Sequence, residues 1–412
     1  MITNNKIQKL KSLELFPFIL LALYPLALIS GNLLINIFIL LVSISFSINF
    51  KDNKKYFTDK IILLLLFFFI SLVVNNIFSI DPQNSFPRII KILFIIFFII
   101  EIKRLINTYE KSYLKYVFLS WSLIFLFLSL DILFEAIFGY NIVGIVSYMP
   151  GRIASFFGDE LVAGAFFHGF ILFFFSYLVN LKLKNYKILF AIIFILLVGF
   201  LIGERSNFIK IFLSVLFFSA LVIKIDFRIK ILLTLIVLSI ITTFISFNES
   251  YKTRYFDQIK ILFSKNGYSN YLRKSQYGAH RDAAIKIFKE NLYFGVGIKN
   301  FRHEVWKKKY ENKEYDMTDG RHATHPHQIH YELLSETGIF GYLCFLIFLI
   351  LSLFYGIKSY LKNKNLYLLS SIIFIIISFL PLLPSGSFFT TFTSGVFWLN
   401  FAIMAGFTNF RS

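Results

Sequence analysis

Four of the chain's seven histidines, His322, His325, His327 and His330, fall within nine positions in RHATHPHQIHYELLSETGIFGY, residues 321–342. Imidazoles at such spacing can ligate zinc. No cysteine lies nearby, however, HExxH is absent, and Pro326 interrupts any ligand-bearing helix until after it. The same residues suit a base or phosphate partner at a helix start, because imidazole titrates near working pH. They also suit a plain solvated loop.

Three arginines stand out against oily surroundings: Arg152 in MPGRIASFFGD, Arg205 in GERSN and Arg281 in HRDAAIKIFKENL. A cation beside a membrane helix is costly, and snorkelling to lipid headgroups explains many such residues. Arg205 is harder to explain that way, because GERSN is a short turn between two apolar runs. Its fork of donors suits a phosphate. His168, inside GAFFHGF, is expected to be buried and satisfied by a neighbouring helix. The single cysteine, Cys344, lies in an apolar run, which excludes a disulfide framework and a cysteine metal site.

The elements that must carry these residues follow from composition. Of 412 residues, 57% are hydrophobic and 16% charged, where a soluble domain has roughly a quarter charged. Runs such as IILLLLFFFISLVVNNIFSI (61–80) and ILLTLIVLSIITTFISF (231–247) approach the ~20 apolar residues that cross a bilayer. In lipid such runs are helices, because each satisfies its own backbone. The expected fold is therefore an all-α polytopic membrane protein with about twelve spans. They are placed at 13–30, 32–49, 61–80, 88–106, 114–138, 160–180, 187–203, 206–223, 229–247, 338–357, 366–384 and 388–409. The first block, bearing Pro17 and Pro25 and lacking a small-residue cleavage site, reads as a retained helix.

The net charge of +19 lies mostly in short clusters between apolar blocks, so it reads as membrane topology rather than a nucleic-acid surface. With the N-terminus inside, KIQKLK, KDNKKYFTDK, IKRLINTYEKSYLK, LKLKNYK, KIDFRIK, IKSYLKNKN and NFRS all fall on the cytoplasmic side, and all are basic. Both termini are thus expected in the cytoplasm. The chain divides into spans one to nine (1–247), a large loop subdomain on the other side (248–337) and spans ten to twelve (338–412). The loop holds six of the seven histidines. It also contains an amphipathic stretch, 280–292, in which Ala284, Ile285, Ile287, Phe288 and Leu292 share a face, broken by Gly295 and Gly297.

One pattern in the histidine stretch is more specific than the histidine count. His327–Gln328, nine residues, then Gly338–Ile339–Phe340–Gly341 resembles the signature of the O-antigen ligase and polymerase superfamily, at the end of that family's large periplasmic loop. GERSNF (203–208) resembles the family's arginine turn, RIASFFGDELVAGAFF (152–167) its segment entering a helix, and Arg281 its second essential arginine. Two residues depart from the pattern. Ile285 stands where an aromatic is common, and Glu204, which can pair with Arg205 and blunt its charge, stands where small residues are common.

The resemblance implies a metal-independent, inverting glycosyl transfer at the periplasmic face of the bacterial inner membrane, with no cofactor. The donor would be a glycan on undecaprenyl diphosphate and the acceptor lipid A–core, with membrane lipids as surroundings. His327, Arg281 and Arg205 would be catalytic. Arg205 and Arg281, with Arg152 as a weaker third, would bind the donor diphosphate. Gln328, Gly338, Gly341 and His325 would support the motif, as would His322 and His330. Whether His327 is a base or a phosphate holder stays open. An O-antigen polymerase or a protein O-oligosaccharyltransferase shares much of the pattern. The single late loop favours the ligase. A flippase or transporter is disfavoured, because charges gather at the ends of spans rather than mid-membrane.

Overall fold

The computed structural model describes residues 12–109, 111–257 and 260–408, and every regular element among them is helical. The basic ends KIQKLK and NFRS lie outside the described residues. Among the described residues nine helices of 17 residues or more precede the long loop: α1 (Ser12–Ser30), α2 (Asn32–Ile48), α3 (Lys60–Ile77), α4 (Pro82–Thr108), α5 (Lys111–Phe138), α6 (Ala163–Asn180), α7 (Asn185–Leu201), α8 (Arg205–Val222) and α9 (Phe227–Phe247). The loop contributes α10 (Gly267–Lys274) and α11 (Gln276–Glu290), and α12 (Ile329–Asn363), α13 (Leu366–Ser378) and α14 (Thr391–Phe407) follow. By length and composition six of these helices are able to cross a membrane, or seven if α2 is joined to the segment 50–58, bent from it by 88°. Helices α7, α13 and α14 are apolar but shorter, as is the Leu15–Ser30 stretch of α1. The architecture is that of an all-α, multi-pass membrane protein.

Local chemistry sets the helix ends. Gly31, at φ +106°, separates α1 from α2, so the two adjoining oily runs are distinct helices. Asp59 and Asp81 accept the first free backbone N–H groups of α3 and α4, and Pro82 occupies the first turn of α4. The expected spans 366–384 and 388–409 are shorter at their facing ends. Helix α13 stops at Ser378 and α14 starts at Thr391. Pro381 and Pro384, which lack an N–H, fall in the irregular segment between. In the loop, α11 buries Ala283, Ala284 and Ile287 against Val296, Phe301, Val305 and Tyr310, while Leu292 is exposed rather than on the shared face.

Helix α4 is long but carries five charged residues between Arg88 and Arg104. Those nearest its C-terminus are locked in a buried network. Arg104 pairs with Glu101 through Nε (3.0 Å) and Nη2 (2.8 Å). The same carboxylate accepts from Ser45 and Asn53, each at 2.8 Å. Lys103 meets Asp59 at 3.0 Å.

The opposite end of the bundle receives the loop through a broken helix. At Gly338, φ +64° and ψ −173° interrupt α12, which begins at Ile329, nine residues earlier than the expected span 338–357. The segment 292–297 fills the break. Val296 and Gly297 N–H donate to the Ser335 and Glu336 carbonyls (2.9 and 2.8 Å), and Ile339 and Phe340 N–H donate to the Leu292 and Tyr293 carbonyls (2.8 and 3.1 Å). These four bonds pair backbone groups on both sides of the kink with the loop. A Cβ at Gly338 would sit 2.4 Å from the Tyr293 carbonyl, in a conformation essentially reserved for glycine. Gly338→Ala is therefore expected to destabilise the protein by at least the ~1–3 kcal/mol of that conformation. Thermal unfolding in detergent would detect this as a lowered midpoint, and an unchanged one would contradict it.

Candidate functional site

A cleft of about 500 Å³ opens where the loop meets the helix ends, and Arg152, Arg205, Arg281, His327 and Gln328 all line it. Residues far apart in the chain are brought there by two junctions. The first is the GERSN turn. Gly203, at φ +76°, packs so closely on the preceding connection that a Cβ would lie 1.9 Å from the Gly151 carbonyl oxygen. Ile153 N–H donates to the Ile202 carbonyl at 3.1 Å beside it. The second junction is the start of α12. There the Gln328 side chain accepts from Tyr331 N–H (3.0 Å) as the helix cap and donates to the Pro381 carbonyl (2.8 Å). A side-chain oxygen at this place performs the capping that Asn or Ser performs more often. The signature pattern therefore runs from a helix cap to a helix break.

The arginines differ in what holds them. Glu204 pairs with Arg152 at 3.0 Å and not with its neighbour Arg205, because the close approach at Gly203 sets the Arg152 segment beside it. That carboxylate also accepts from Gly164 N–H (3.2 Å) and from the Asn207 amide. Arg152 donates further to the Leu161 carbonyl at 2.7 Å, so it reaches the cleft already neutralised. Arg205 makes no hydrogen bond or ion pair among the described residues, and it opens the 18-residue helix α8. The positive end of that helix dipole adds to its charge. Arg281 donates from Nε to the Tyr331 hydroxyl at 2.9 Å and lies over the Tyr331 ring at 5.8 Å, leaving its terminal nitrogens uncommitted among the described residues.

A fourth arginine, Arg254, completes the wall, with Nε donating to the Gly203 carbonyl at 3.3 Å. Burial, then the charges of Arg152 and Arg205, lower its pKa. In the lysine-bearing stretch YKTRYFD no spacing distinguishes it from its neighbours. Four arginines against the single carboxylate of Glu204 leave the cleft strongly cationic, which fits a multiply charged anion. Tyr268, Tyr271 and Tyr277 from the loop face the same space.

His327 has φ +55°, a left-handed conformation uncommon outside glycine. It is held by Ser385 N–H, which donates to its carbonyl at 2.9 Å. Its ring stacks on His280 at 4.9 Å and lies 4.1 Å from the ring of His325. His280, which the sequence pattern did not single out, is itself fixed by Nε2 bonding the Gly320 carbonyl at 2.7 Å. Burial, with a smaller contribution from His280, pushes the His327 imidazole down to about 4. Burial chiefly, then His327, drives His325 lower still. His327 is therefore neutral at physiological pH and able to accept a proton.

The four-histidine run is split by the fold. His322 stacks on Trp306 at 4.0 Å, and His330 bonds the Tyr342 hydroxyl (3.0 Å) and the Phe379 carbonyl (2.9 Å). Among the described residues no group of three or more His, Cys, Asp or Glu is placed to hold a metal ion. His168 lies buried and meets Ser214 of α8 at 3.2 Å, the satisfied histidine that its apolar setting suggested.

Residues 189–346 match the O-antigen ligase family. Among curated proteins there is no significant match. The matched stretch runs from α7 to the membrane part of α12 and holds Arg205, Arg254, Arg281, His327, Gln328, Gly338 and Gly341. Over residues 189–346 the chain is thus similar to the O-antigen ligase family.

Proposed function

We propose that the protein is a glycosyltransferase that moves a glycan from undecaprenyl diphosphate to a lipid A–core acceptor, inverting the anomeric carbon without a metal. The carrying observation is the convergence of Arg205, Arg254, Arg281 and His327 on one cleft at the helix ends. In this reading the chain makes twelve passes of the bacterial inner membrane with both termini cytoplasmic. The residue 248–337 loop and the cleft then lie on the periplasmic face.

The reaction asks for two things. An acceptor hydroxyl attacks the anomeric carbon as its bond to the phosphate oxygen breaks, and negative charge grows on the departing lipid diphosphate. Preorganised cations in a poorly solvated site are the strongest means of stabilising that charge. Arg205 and Arg281, whose terminal nitrogens are uncommitted, and Arg254 beside them supply it, while Arg152 holds Glu204 out of their way. The hydroxyl proton passes to the neutral His327 imidazole. The approaching diphosphate raises the basicity of that ring, since an anion nearby favours the imidazolium.

Arg205→Ala and Arg281→Ala are each expected to lower transfer by about 10²–10³-fold, the scale of losing one preorganised donor. His327→Ala is expected to abolish it, with all three variants still inserted in the membrane. The assay follows glycan from purified lipid carrier to product, with lipid A–core, a second lipid-linked glycan and a Ser/Thr peptide offered separately. Wild-type transfer in all three variants overturns the assignment, transfer to another acceptor reassigns it, and loss to chelator with rescue by zinc restores the metal reading. The acid limb of kcat/KM provides a separate check. An ordinary histidine would begin to protonate near pH 6.5. Since burial holds His327 at about 4, kcat/KM stays level as pH falls through 6.5 and declines only towards 4.

A further inference from the structure

Lys210 lies on α8, about one and a half turns beyond Arg205. It is 5% exposed, a buried ammonium on an apolar helix, and such a group calls for a specific reason. Glu204, the carboxylate whose charge acts on it, is already engaged by Arg152, Gly164 and Asn207. The Lys210 ammonium instead donates to the Pro384 carbonyl at 3.0 Å. Pro384 belongs to the segment 379–390, which lines the cleft through Pro381–Pro384. The N–H of the next residue, Ser385, is the one that donates to the His327 carbonyl at 2.9 Å.

These two bonds share one peptide unit. The Pro384 carbonyl and the Ser385 N–H are the opposite poles of a single rigid, planar amide. A cation on its oxygen polarises that amide and strengthens the donor on its nitrogen. The strained backbone of His327 is therefore clamped by a straight connection from α8, the helix that also presents Arg205. Gln328, donating to the Pro381 carbonyl, ties the same segment a second time.

We infer that Lys210 is a positioning residue that fixes His327 relative to Arg205 through the Pro384–Ser385 peptide. The inference rests on the reading of His327 as the group that acts on the acceptor. Lys210→Met keeps the aliphatic stem and removes the donor, whereas Lys210→Arg keeps a donor. Ser385→Pro removes the N–H at the far end of the same amide.

Lys210→Met is expected to lower kcat for glycan transfer by about 10–100-fold, the scale of a misplaced reacting group, with KM for the lipid-linked donor little changed. Lys210→Arg recovers most of the loss. Ser385→Pro reproduces it, and the double variant is no worse than the more damaged single one, because both cut the same connection. Additive losses, or a change confined to KM, overturn the inference. Hydrogen exchange reads the tether without reference to any reaction. Exchange in residues 379–390 quickens in Lys210→Met and not in Lys210→Arg, and unchanged exchange in Lys210→Met overturns the tether. If the wild type transfers glycan to no acceptor, the functional reading fails while the exchange result still decides the tether.

Discussion

The reciprocal backbone hydrogen bonds around Gly338 are the constraint on which the rest of the site depends. A helix cannot open inside a bilayer unless something else satisfies the groups it frees. Here residues 292–297 pair with groups on both sides of the break, and in doing so they fasten the loop to the bundle. The helical segment between Gln328 and Gly338 then sets His327 about 15 Å from the break. Tyr331, on the first turn of that segment, holds Arg281. The spacing in the sequence signature is thus a measured strut between a cap and a kink.

Charge is handled in two ways within one chain. Arg104 with Glu101, Lys103 with Asp59 and Arg152 with Glu204 are matched in place. A buried pair of this kind is costly to break, because removing one partner strands the other. Around the cleft the balance is deliberately left open. Arg205 has no partner among the described residues, Arg254 sits among like charges, and Arg281 spends only one nitrogen on Tyr331. Uncompensated cations in a partly dry cleft repel one another, and a bound anion relieves that repulsion. Burial in the same cleft keeps the His327 imidazole neutral at physiological pH.

Much of the helical framework was readable from the residues. Hydropathy located the apolar runs, since a bilayer imposes a length on them. Proline, glycine and aspartate marked many of the ends, as at Gly31, Asp59 and Asp81. The pattern misled where helix and apolar run part company. Residues 379–384 are oily yet irregular because Pro381 and Pro384 cannot continue α13, and 329–337 is helical although polar because it packs on the loop. Within the site, Arg152, Arg205, Arg281, His327 and Gln328 were conspicuous by type, and all five line one cleft. Arg254, His280 and Lys210 were not conspicuous. Each lies in a stretch where similar residues abound, and each matters only for what folding sets against it.

What the sequence alone determined is the set of local choices: which segments prefer lipid, where a helix is capped or broken, and which cations and imidazoles exist. Those choices depend on neighbours along the chain and on the solvent each segment meets. What only the tertiary structure decided is pairing. Glu204 takes Arg152 and leaves Arg205 free, His327 leaves His322 and His330 for His280 and His325, and one peptide at Pro384–Ser385 joins α8 to the histidine. Electrostatic energy, hydrogen bonding and desolvation depend on distances through space, and those distances exist only once the helices and the loop have packed.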